Sequence, residues 1–373
     1  MLIITLGTQA SASTWVFNAV RAIFSANALD AMSGMSEVGS EFLGVMKPDV
    51  DHFILKAHRL DQNILHLARL SAAKIIVTTR DPRDVLASQK ERFDADYREQ
   101  IGSLSCSLTS IASLPPELEI MYLRYEDRFF ERADTIRQLA HFLSLPITDE
   151  QCASIASAHS AESVKARISA WVDTEGCSNP DWWDTASHWH PGHVGDGRSG
   201  KFSEIIPDVV RKAAESALGP FDANNDYRFQ PVFWHPYLFN GVNAEDNDEG
   251  LVTLTGEASL LVHGPYLSLP VGRWMMRPIF NGPAPDRSVG VKIDAYTYAD
   301  YHGVMEMKTV VLPSSRKNPF LEVDVVNHLH PIEFRVFALG DGRKGAFHFG
   351  GVHLTYLGDS FVRELHTSMS RVI

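Results

Sequence analysis

Lys56 and His58 lie two residues apart in the segment 54–58, Ile-Leu-Lys-Ala-His, which has the composition of a strand end. Side chains two residues apart point to the same face of a strand. A neutral imidazole can take a proton from an attacking hydroxyl group while a neighbouring ammonium group stabilises the departing anion. The pair therefore suits a group-transfer reaction. The alternative is a pair with a purely structural role.

A second candidate site follows the first predicted strand, Leu2–Leu6. The loop of residues 7–14, Gly-Thr-Gln-Ala-Ser-Ala-Ser-Thr, leads from it into a predicted helix. Backbone amides in such a loop and the helix dipole together bind anions. The spacing is that of a nucleotide-triphosphate P-loop, but Ala12 replaces its second glycine and Ser13 its lysine. That difference disfavours a kinase or an ATPase, and an ordinary strand-to-helix turn is the other alternative.

A third candidate site begins where the β-branched run Lys74–Thr79 ends. Arg80 follows that predicted strand, Asp81 can cap the next helix, and Pro82 takes the first helical position, which proline favours. Ser88 lies about two turns inside the helix. An arginine fork with a nearby hydroxyl group can clamp a monophosphate. The alternative is a capped helix with arginines on its surface.

Histidines and tryptophans cluster around residue 190: Trp182, Trp183, His188, Trp189, His190 and His193. Three histidines suggest a zinc site, but the sequence supplies no convincing further ligands, and we expect no metal. The tryptophans are candidates for an aromatic wall against a sugar acceptor. Core packing is the favoured alternative.

Taken together, these segments resemble the sulfotransferases that use 3′-phosphoadenosine 5′-phosphosulfate (PAPS) as donor. Residues 9–15 resemble the family's 5′-phosphosulfate loop. Residues 56–58 resemble its Lys-Thr-His strand, and residues 80–88 resemble its 3′-phosphate segment. Residues 125–127 are similar to its Tyr-Glu-Asp segment, and 192–202 to its glycine-rich loop. The order and spacing of all five segments agree.

The resemblance implies a role for each matched residue. His58 would be the general base, and Lys56 would stabilise the bridging oxygen as the product PAP leaves. The residues expected to bind the nucleotide are Ser11, Ala12, Ser13, Thr14, Trp15, Arg80, Ser88, Tyr125, Gly192, Arg198 and Lys201. The first four would hold the 5′-phosphosulfate, the two aromatic residues would lie at the adenine, and the others would bind the 3′-phosphate.

Two departures from the family pattern concern positive charge. Ala10 stands where the family has a lysine or arginine, and the candidates to replace that cation are Lys56, Arg59, Arg198 and Lys201. His190-Pro191 stands where an Arg-Lys pair usually precedes the glycine. We therefore expect the 3′-phosphate to be met by Arg80, Arg198 and either Lys201 or His193. A catalytically silent module that binds PAP or a glycan is the main alternative.

The elements that must position these residues alternate strand and helix to about residue 230. This pattern predicts a three-layer α/β domain, P-loop-like, with a parallel sheet covered by helices on both faces. Residues 241–250 are acidic and read as a linker or surface loop. Short alternating strands beyond them predict an all-β sandwich. We thus predict a sulfotransferase domain at 1–235 and a β-sandwich domain at 250–373.

The segment 256–274 resembles sandwich modules attached to bacterial carbohydrate-active transferases. The acceptor is therefore expected to be a hydroxyl-bearing small molecule or a glycan, with a carbohydrate favoured. Four aromatic residues are either sugar-stacking or core residues: Tyr266, Trp274, Tyr296 and Tyr298.

The bulk composition limits the possible partners. The formal net charge of −12 argues against a nucleic-acid partner, whose phosphates attract clustered lysine and arginine. Three cysteines, widely spaced and odd in number, fit a reducing compartment. No apolar run approaches the ~18 residues of a transmembrane helix, and the apolar start is too short for a signal peptide. We expect a cytoplasmic protein; the sequence leaves its oligomeric state open.

Overall fold

The computed structural model describes residues 1–45, 49–175, 183–223, 225–241, 244–246, 252–254, 260–281, 290–299, 303–312, 319–339 and 347–359. The chain divides into two compact units. The first combines Met1–Ala95 with Leu114–Lys201, and the second combines Asp96–Ser113 with Phe202–Ile373. Residues 96–113 and 202–235 therefore belong to the second compact unit. The domain bounds 1–235 and 250–373 stay a prediction from the sequence.

The first unit is built on a parallel five-stranded sheet in the order β2-β3-β1-β4-β5. Its strands are β1 (Leu2–Gly7), β2 (Met32–Met35), β3 (Phe53–Ala57), β4 (Lys74–Thr79) and β5 (Glu119–Arg124). The helices, in chain order, are α1 (Ser13–Ala26), α2 (Gly39–Val45), α3 (Gln62–Leu70), α4 (Pro82–Phe93), α5 (Tyr97–Ala112), α6 (Ala133–Phe142), α7 (Asp149–Ala158), α8 (Ala161–Glu175), α9 (Phe202–Ile205) and α10 (Asp208–Leu218). All but α5, α9 and α10 belong to the first unit.

The centre of this sheet is buried on both faces. Every residue of β1 is buried, and so is every residue of β3, as expected for strands that have helices above and below them. Helix α1 packs its apolar residues, Phe17 and Val20 among them, into a core shared with α6 and α7. The predicted α/β class is confirmed.

The topology brings the candidate residues to one edge of the sheet. β1 lies between β3 and β4, so the strand order changes direction beside it. In open α/β sheets, ligands bind at the carboxyl ends of the strands where this change occurs. The carboxyl ends of these three strands lead directly into the loop 8–12, His58 and Arg80.

The second unit contains two antiparallel sheets, which confirms the predicted all-β class. One has the order β13-β12-β15-β10-β7, and the other the order β14-β11-β16-β9-β8, with β6 beside β16. Their strands are β6 (Val232–Trp234), β7 (Asn240–Gly241), β8 (Ala244–Asp246), β9 (Val252–Leu254), β10 (Leu260–Leu267), β11 (Gly272–Asn281), β12 (Gly290–Ala299), β13 (Gly303–Leu312), β14 (Leu321–Val325), β15 (Ile332–Leu339) and β16 (Phe347–Gly358). The linker prediction for 241–250 is wrong in part, because β8 lies inside that segment.

Helix α5 belongs to the second unit although its sequence lies between α4 and β5. Its apolar residues Leu104 and Leu108 are buried. Ser105 Oγ accepts a hydrogen bond of 3.1 Å from the Ser268 amide, just beyond β10, and Thr109 Oγ1 donates one of 3.4 Å to the carbonyl of His328. The helix is therefore an integral part of the β-rich unit.

The candidate sugar-stacking residues have different environments. Trp274 is fully buried, and its indole Nε1 donates to the Pro270 carbonyl at 2.9 Å, so it is a core residue. Tyr266 is exposed and donates from its hydroxyl to Glu333 at 2.7 Å. The Arg335 guanidinium lies 3.8 Å from the ring centre of Tyr296. The side chain of Tyr298 lies outside the described residues.

No helix among the described residues has both the length and the apolar character that a bilayer span requires.

Candidate active site

The loop between β1 and α1 is tightly wound. Ala10 and Ala12 both adopt left-handed backbone conformations, with φ of 54° and 63°. Thr8 donates its amide to the Thr78 carbonyl at 3.2 Å. A Cβ atom on Gly7 would lie 2.0 Å from Thr78 Oγ1, so the loop passes β4 at a distance that only glycine allows.

Ser11 stabilises this loop from within. Its hydroxyl group donates to the Thr8 carbonyl at 2.6 Å and lies 2.8 Å from Thr78 Oγ1. Ala12, Ser13 and Thr14 instead line a cleft of about 1070 Å³. No side chain caps the start of α1 at Ala12. The residues expected at the 5′-phosphosulfate thus divide into one that shapes the loop and three that face the cleft.

Lys56 and His58 meet beside this loop and line the same cleft. His58 Nδ1 lies 2.6 Å from the Gly7 carbonyl oxygen, and Lys56 Nζ lies 3.3 Å from His58 Nε2. A carbonyl oxygen only accepts hydrogen bonds, so Nδ1 carries the ring proton and Nε2 holds a lone pair. The arrangement is a neutral imidazole with its basic nitrogen next to an ammonium group.

The environment shifts both pKa values downward. Burial and then the charge of Lys56 lower the pKa of His58 to about 3. Burial lowers the pKa of Lys56 to about 8, against the opposing effect of Glu37. Burial disfavours the charged form of each group. The imidazole is therefore neutral at pH 7, and the ammonium group of Lys56 is mostly protonated.

The cations expected to compensate for Ala10 differ in their partners. Arg59 Nε bonds Glu37 at 2.6 Å and Arg198 Nε bonds Asp196 at 2.9 Å. The buried ammonium group of Lys201 pairs with Glu91 and Asp196. Within the described chain, Lys56 alone among these four candidates forms no ion pair. Lys56 thus remains the candidate to replace the cation missing at Ala10.

Arg80 joins the loop after β1 to the glycine-rich loop of residues 192–202. Its Nη1 donates to the Ala10 carbonyl at 3.0 Å and its Nη2 to the Arg198 carbonyl at 2.8 Å. The guanidinium carbon lies 4.0 Å from the ring centre of Tyr125. Nε is buried and has no hydrogen-bond partner in the described structure. A buried donor without a partner costs free energy, which a bound anion would recover.

Helix α4 presents Ser88 to the cleft. Asp81 caps the helix, since its carboxylate accepts from the Arg83 amide at 2.9 Å, and Ser88 is 5% exposed and lines the cleft with Arg80. Arg92, one turn further along, also lines the cleft and was missed by the sequence analysis. Its signal was the spacing of four residues from Ser88, which places both on one helix face.

The glycine-rich loop is held by acceptors and donors of the first unit. Gly192, Gly197 and Gly200 have φ of 77°, 75° and 82°, conformations that glycine adopts without strain. The Gly200 amide donates to the buried Asp84 carboxylate at 2.6 Å. Arg198 contributes its backbone carbonyl to Arg80, while its side chain turns to Asp196. The loop therefore lies over α4.

Aromatic residues form one wall of the cleft. Trp15 donates from Nε1 to the His159 carbonyl at 3.1 Å, and its ring centre lies 5.8 Å from that of Phe129. Tyr125 packs against Phe130 at 4.7 Å. Trp15 and Tyr125 both line the cleft. Flat rings on one wall provide a surface on which a purine can stack.

The histidine cluster lies on the same cleft as Lys56. Burial and then the charges of Lys56 and Arg21 lower the pKa of His188 to about 4. His188 Nε2 and His193 Nδ1 are buried without a partner in the described structure. Within the described residues, no three histidine, cysteine or carboxylate groups are arranged to hold a metal ion. A metal-free site stays a prediction.

The predicted tryptophan cluster is split. Trp189 is 2% exposed and packs with Val164 and Ile168, so it is a core residue. Trp183 is 58% exposed and lines the cleft. Trp182 lies outside the described residues.

The cleft contains the groups that a sulfated nucleotide requires. Arg80, Ser88, Arg92 and Lys56 all line it. The unpaired Arg80 Nε and the short-side-chain loop fit an anionic ligand. The residues present are therefore compatible with PAPS.

A comparison with protein families finds a match to the sulfotransferase domain. The family model for the sulfotransferase domain matches residues 50–196, which include Lys56, His58 and the segment from Arg80 to Ser88. A search of curated proteins finds none that matches the chain.

Solved structures show more distant likenesses. A retinol dehydratase in complex with androsterone and PAP is 15% identical, with a TM-score of 0.44 over 61% of this chain and 82% of that one. The mouse sulfotransferase SULT7A1 with PAP is also 15% identical, with a TM-score of 0.43 over 61% and 85%. TmCBM61 with β-1,4-galactotriose is 19% identical, with a TM-score of 0.21 over 32% and 80%.

TM-scores below 0.5 do not by themselves establish a relationship, so the assignment depends on the family match and on the segments that the cleft brings together. The family match identifies residues 50–196 as a sulfotransferase domain.

Proposed function

We propose that the chain transfers the sulfuryl group of PAPS to a hydroxyl group of a carbohydrate or glycan, with His58 as the general base. One observation carries the proposal: His58 Nδ1–H donates a 2.6 Å hydrogen bond to the Gly7 carbonyl, which leaves Nε2 as the basic nitrogen in the cleft. A base within reach of an acceptor hydroxyl group accelerates its attack.

In the proposed reaction, His58 Nε2 takes the proton of the acceptor hydroxyl group as the acceptor oxygen forms its bond to sulfur. The bond from sulfur to the bridging oxygen breaks, and its electron pair stays on the 5′-phosphate of PAP. Lys56 Nζ stabilises the charge that develops on that oxygen. Lys56 lies 3.3 Å from Nε2, so one cation serves both reacting groups.

PAPS supplies an activated sulfuryl group whose departure leaves a stable phosphate. Different residues of the chain bind the two ends of PAPS. Ser13 and Thr14 at the start of α1 bind the 5′ end, and Arg80 and Ser88 bind the 3′-phosphate. Trp15 and Tyr125 flank the adenine. Fixing the donor in this way supplies much of the acceleration by orientation.

The acceptor class is the finer part of the proposal. It is supported by Trp183, whose exposed ring lines the cleft and offers a flat apolar face for a sugar ring. Labelling a panel of glycans with radioactive PAPS tests it. Labelling of lipid or phenolic alcohols in preference to every glycan contradicts the carbohydrate assignment and keeps the transfer reaction.

Donor identity is tested by thermal denaturation with PAP and with ATP and magnesium. We expect PAP to raise the melting temperature and ATP-magnesium to raise it far less, because the P-loop lysine is replaced by Ser13. Stabilisation by ATP-magnesium beyond that by PAP would favour a kinase.

The base is tested by His58→Ala. We expect turnover of labelled PAPS to fall by about 10²–10⁴, the usual contribution of a general base, with PAP affinity retained. The control is His66→Ala, an exposed histidine on α3. If His58→Ala turns over like the wild type, His58 is not the base.

Ala10 supports a second candidate, a silent module that binds PAP without transferring sulfate, since the cation of the family is missing at this position. The two candidates separate in one assay. A wild-type chain that binds PAP but labels no member of a broad acceptor panel is the result expected of the silent module.

A further inference from the structure

Arg92 lies where α4, the cleft and the glycine-rich loop meet. Its Nε donates to the Ser88 carbonyl at 3.3 Å, one turn earlier in α4. Its Nη1 donates to the carbonyls of Gly192 and His193 at 3.1 and 2.9 Å. Nη2 makes no hydrogen bond with the described part of the chain. The guanidinium therefore bridges Ser88 and the loop and keeps one nitrogen available.

Arg80 holds the same loop from its other side. Its Nη2 donates to the Arg198 carbonyl, six residues after Gly192. Two guanidinium groups from the β4–α4 segment thus each bind a backbone carbonyl of the loop. Ser88 lines the cleft with both of them.

The two guanidinium groups differ from the neighbouring cations in their partners. Within the described chain, neither forms an ion pair, whereas the neighbouring Arg198 and Lys201 are bonded to carboxylates. Burial, and next the charge of Arg80, lower the pKa of Arg92. Like charges that are partly removed from water repel each other, and an anion placed between them reverses that cost.

We infer that Arg92 binds the 3′-phosphate of the donor together with Arg80 and Ser88. The inference rests on the proposed function. Arg92 supplies from α4 the charge that the loop itself lacks, because His190-Pro191 replaces a basic pair. Its bonds to Gly192 and His193 tie the closure of the loop to the bound phosphate.

The test compares PAP with AMP, which lacks the 3′-phosphate, by titration calorimetry. The variant Arg92→Gln is expected to lose about 10- to 100-fold in PAP affinity, the range for one charge-assisted hydrogen bond. Its AMP affinity is expected to equal that of the wild type. Retained AMP binding would also show that the cleft of the variant is folded. In steady-state kinetics, KM for PAPS should rise with kcat nearly unchanged, since the contact is equal in ground and transition states.

The matched control is Lys90→Gln, which removes a positive charge from the same helix outside the cleft; Lys90 bonds Asp94. It should leave both affinities unchanged. Equal losses of PAP and AMP affinity in Arg92→Gln, or no loss of either, would overturn the inference. A wild-type chain that binds PAP no better than AMP would overturn the proposed function itself.

Discussion

At the scale of single residues, burial and the charge of Lys56 set the protonation of His58. The lysine charge helps to hold the imidazole neutral, and burial brings the ammonium group close to deprotonation. Enzymes assign acid and base roles to paired groups by placing them in environments that push their pKa values apart. Here the base has the lower pKa and the cation the higher, so both active forms coexist around neutral pH.

This pair predicts a pH profile. His58 is active when unprotonated, so its acid limit lies near pH 3 and not near its ordinary value. Lys56 is active when protonated, so kcat/KM should fall as the pH rises through about 8. Initial rates with PAPS between pH 5 and pH 10 measure this. Lys56→Arg should abolish the alkaline fall, because guanidinium stays protonated. An identical alkaline limb in that variant would assign it to another group.

At the same scale, the sequence identified the motif residues but not all their partners. Lys56, His58 and Arg80 were predicted because each lies at or just beyond a strand end, where strand order fixes its neighbours. Ser88 was predicted from its position in the helix that follows Arg80. The bond between Lys201 and Glu91 was not predictable, since it depends on how the glycine-rich loop folds over α4. Arg92 was missed although its spacing of four residues from Ser88 places both on one face of α4.

At the scale of elements, the arrangement of β1, the loop after it and α1 depends on how closely that loop passes β4. Thr78 contacts it twice, through its carbonyl to Thr8 and through its hydroxyl to Ser11. Gly7 is therefore fixed by the neighbouring strand and not by its own backbone angles. The sequence predicted the anion loop but not this contact, because Thr78 is far from it along the chain.

Gly7→Ala tests that contact. The new methyl group would overlap Thr78 Oγ1 and approach Ser13 Cβ, so the loop must shift. Overpacking of this kind costs about 1–3 kcal/mol of folding stability. We expect a lower melting temperature and weaker PAP binding, measured by calorimetry. The control Gly34→Ala meets no atom within 4 Å and should retain PAP affinity. Equal PAP affinity in both variants would show that the loop tolerates displacement.

At the scale of the whole molecule, the two compact units are not two consecutive segments. The chain leaves the first unit after Ala95, forms α5 as part of the second, and returns at Leu114. The sequence predicted both fold classes, because strand–helix alternation and short alternating strands differ clearly. The sequence could not predict that α5 belongs to the second unit, since the pattern of an amphipathic helix does not indicate which sheet its apolar face will pack against.

A truncated chain tests this division. Residues 1–235 contain α5 but not Ser268 or His328, the residues it bonds beyond β10 and β14. We expect this fragment to be less soluble than the full chain and its segment 97–112 to exchange amide hydrogens quickly, because buried apolar side chains lose their cover. Hydrogen exchange measured on both proteins checks this. Protection of 97–112 equal to that in the full chain would mean that α5 needs no β-rich partner.

The early position of α5 also affects synthesis on the ribosome. Cys106 lies 2.9 Å from Ser268, which is made 162 residues later. At the usual 5–20 residues per second, that delay is about 8–32 s. Throughout this interval the nascent helix exposes Leu104 and Leu108 without the strands that will bury them. Chaperone occupancy should therefore peak in the middle of translation and fall only when the last sheets emerge.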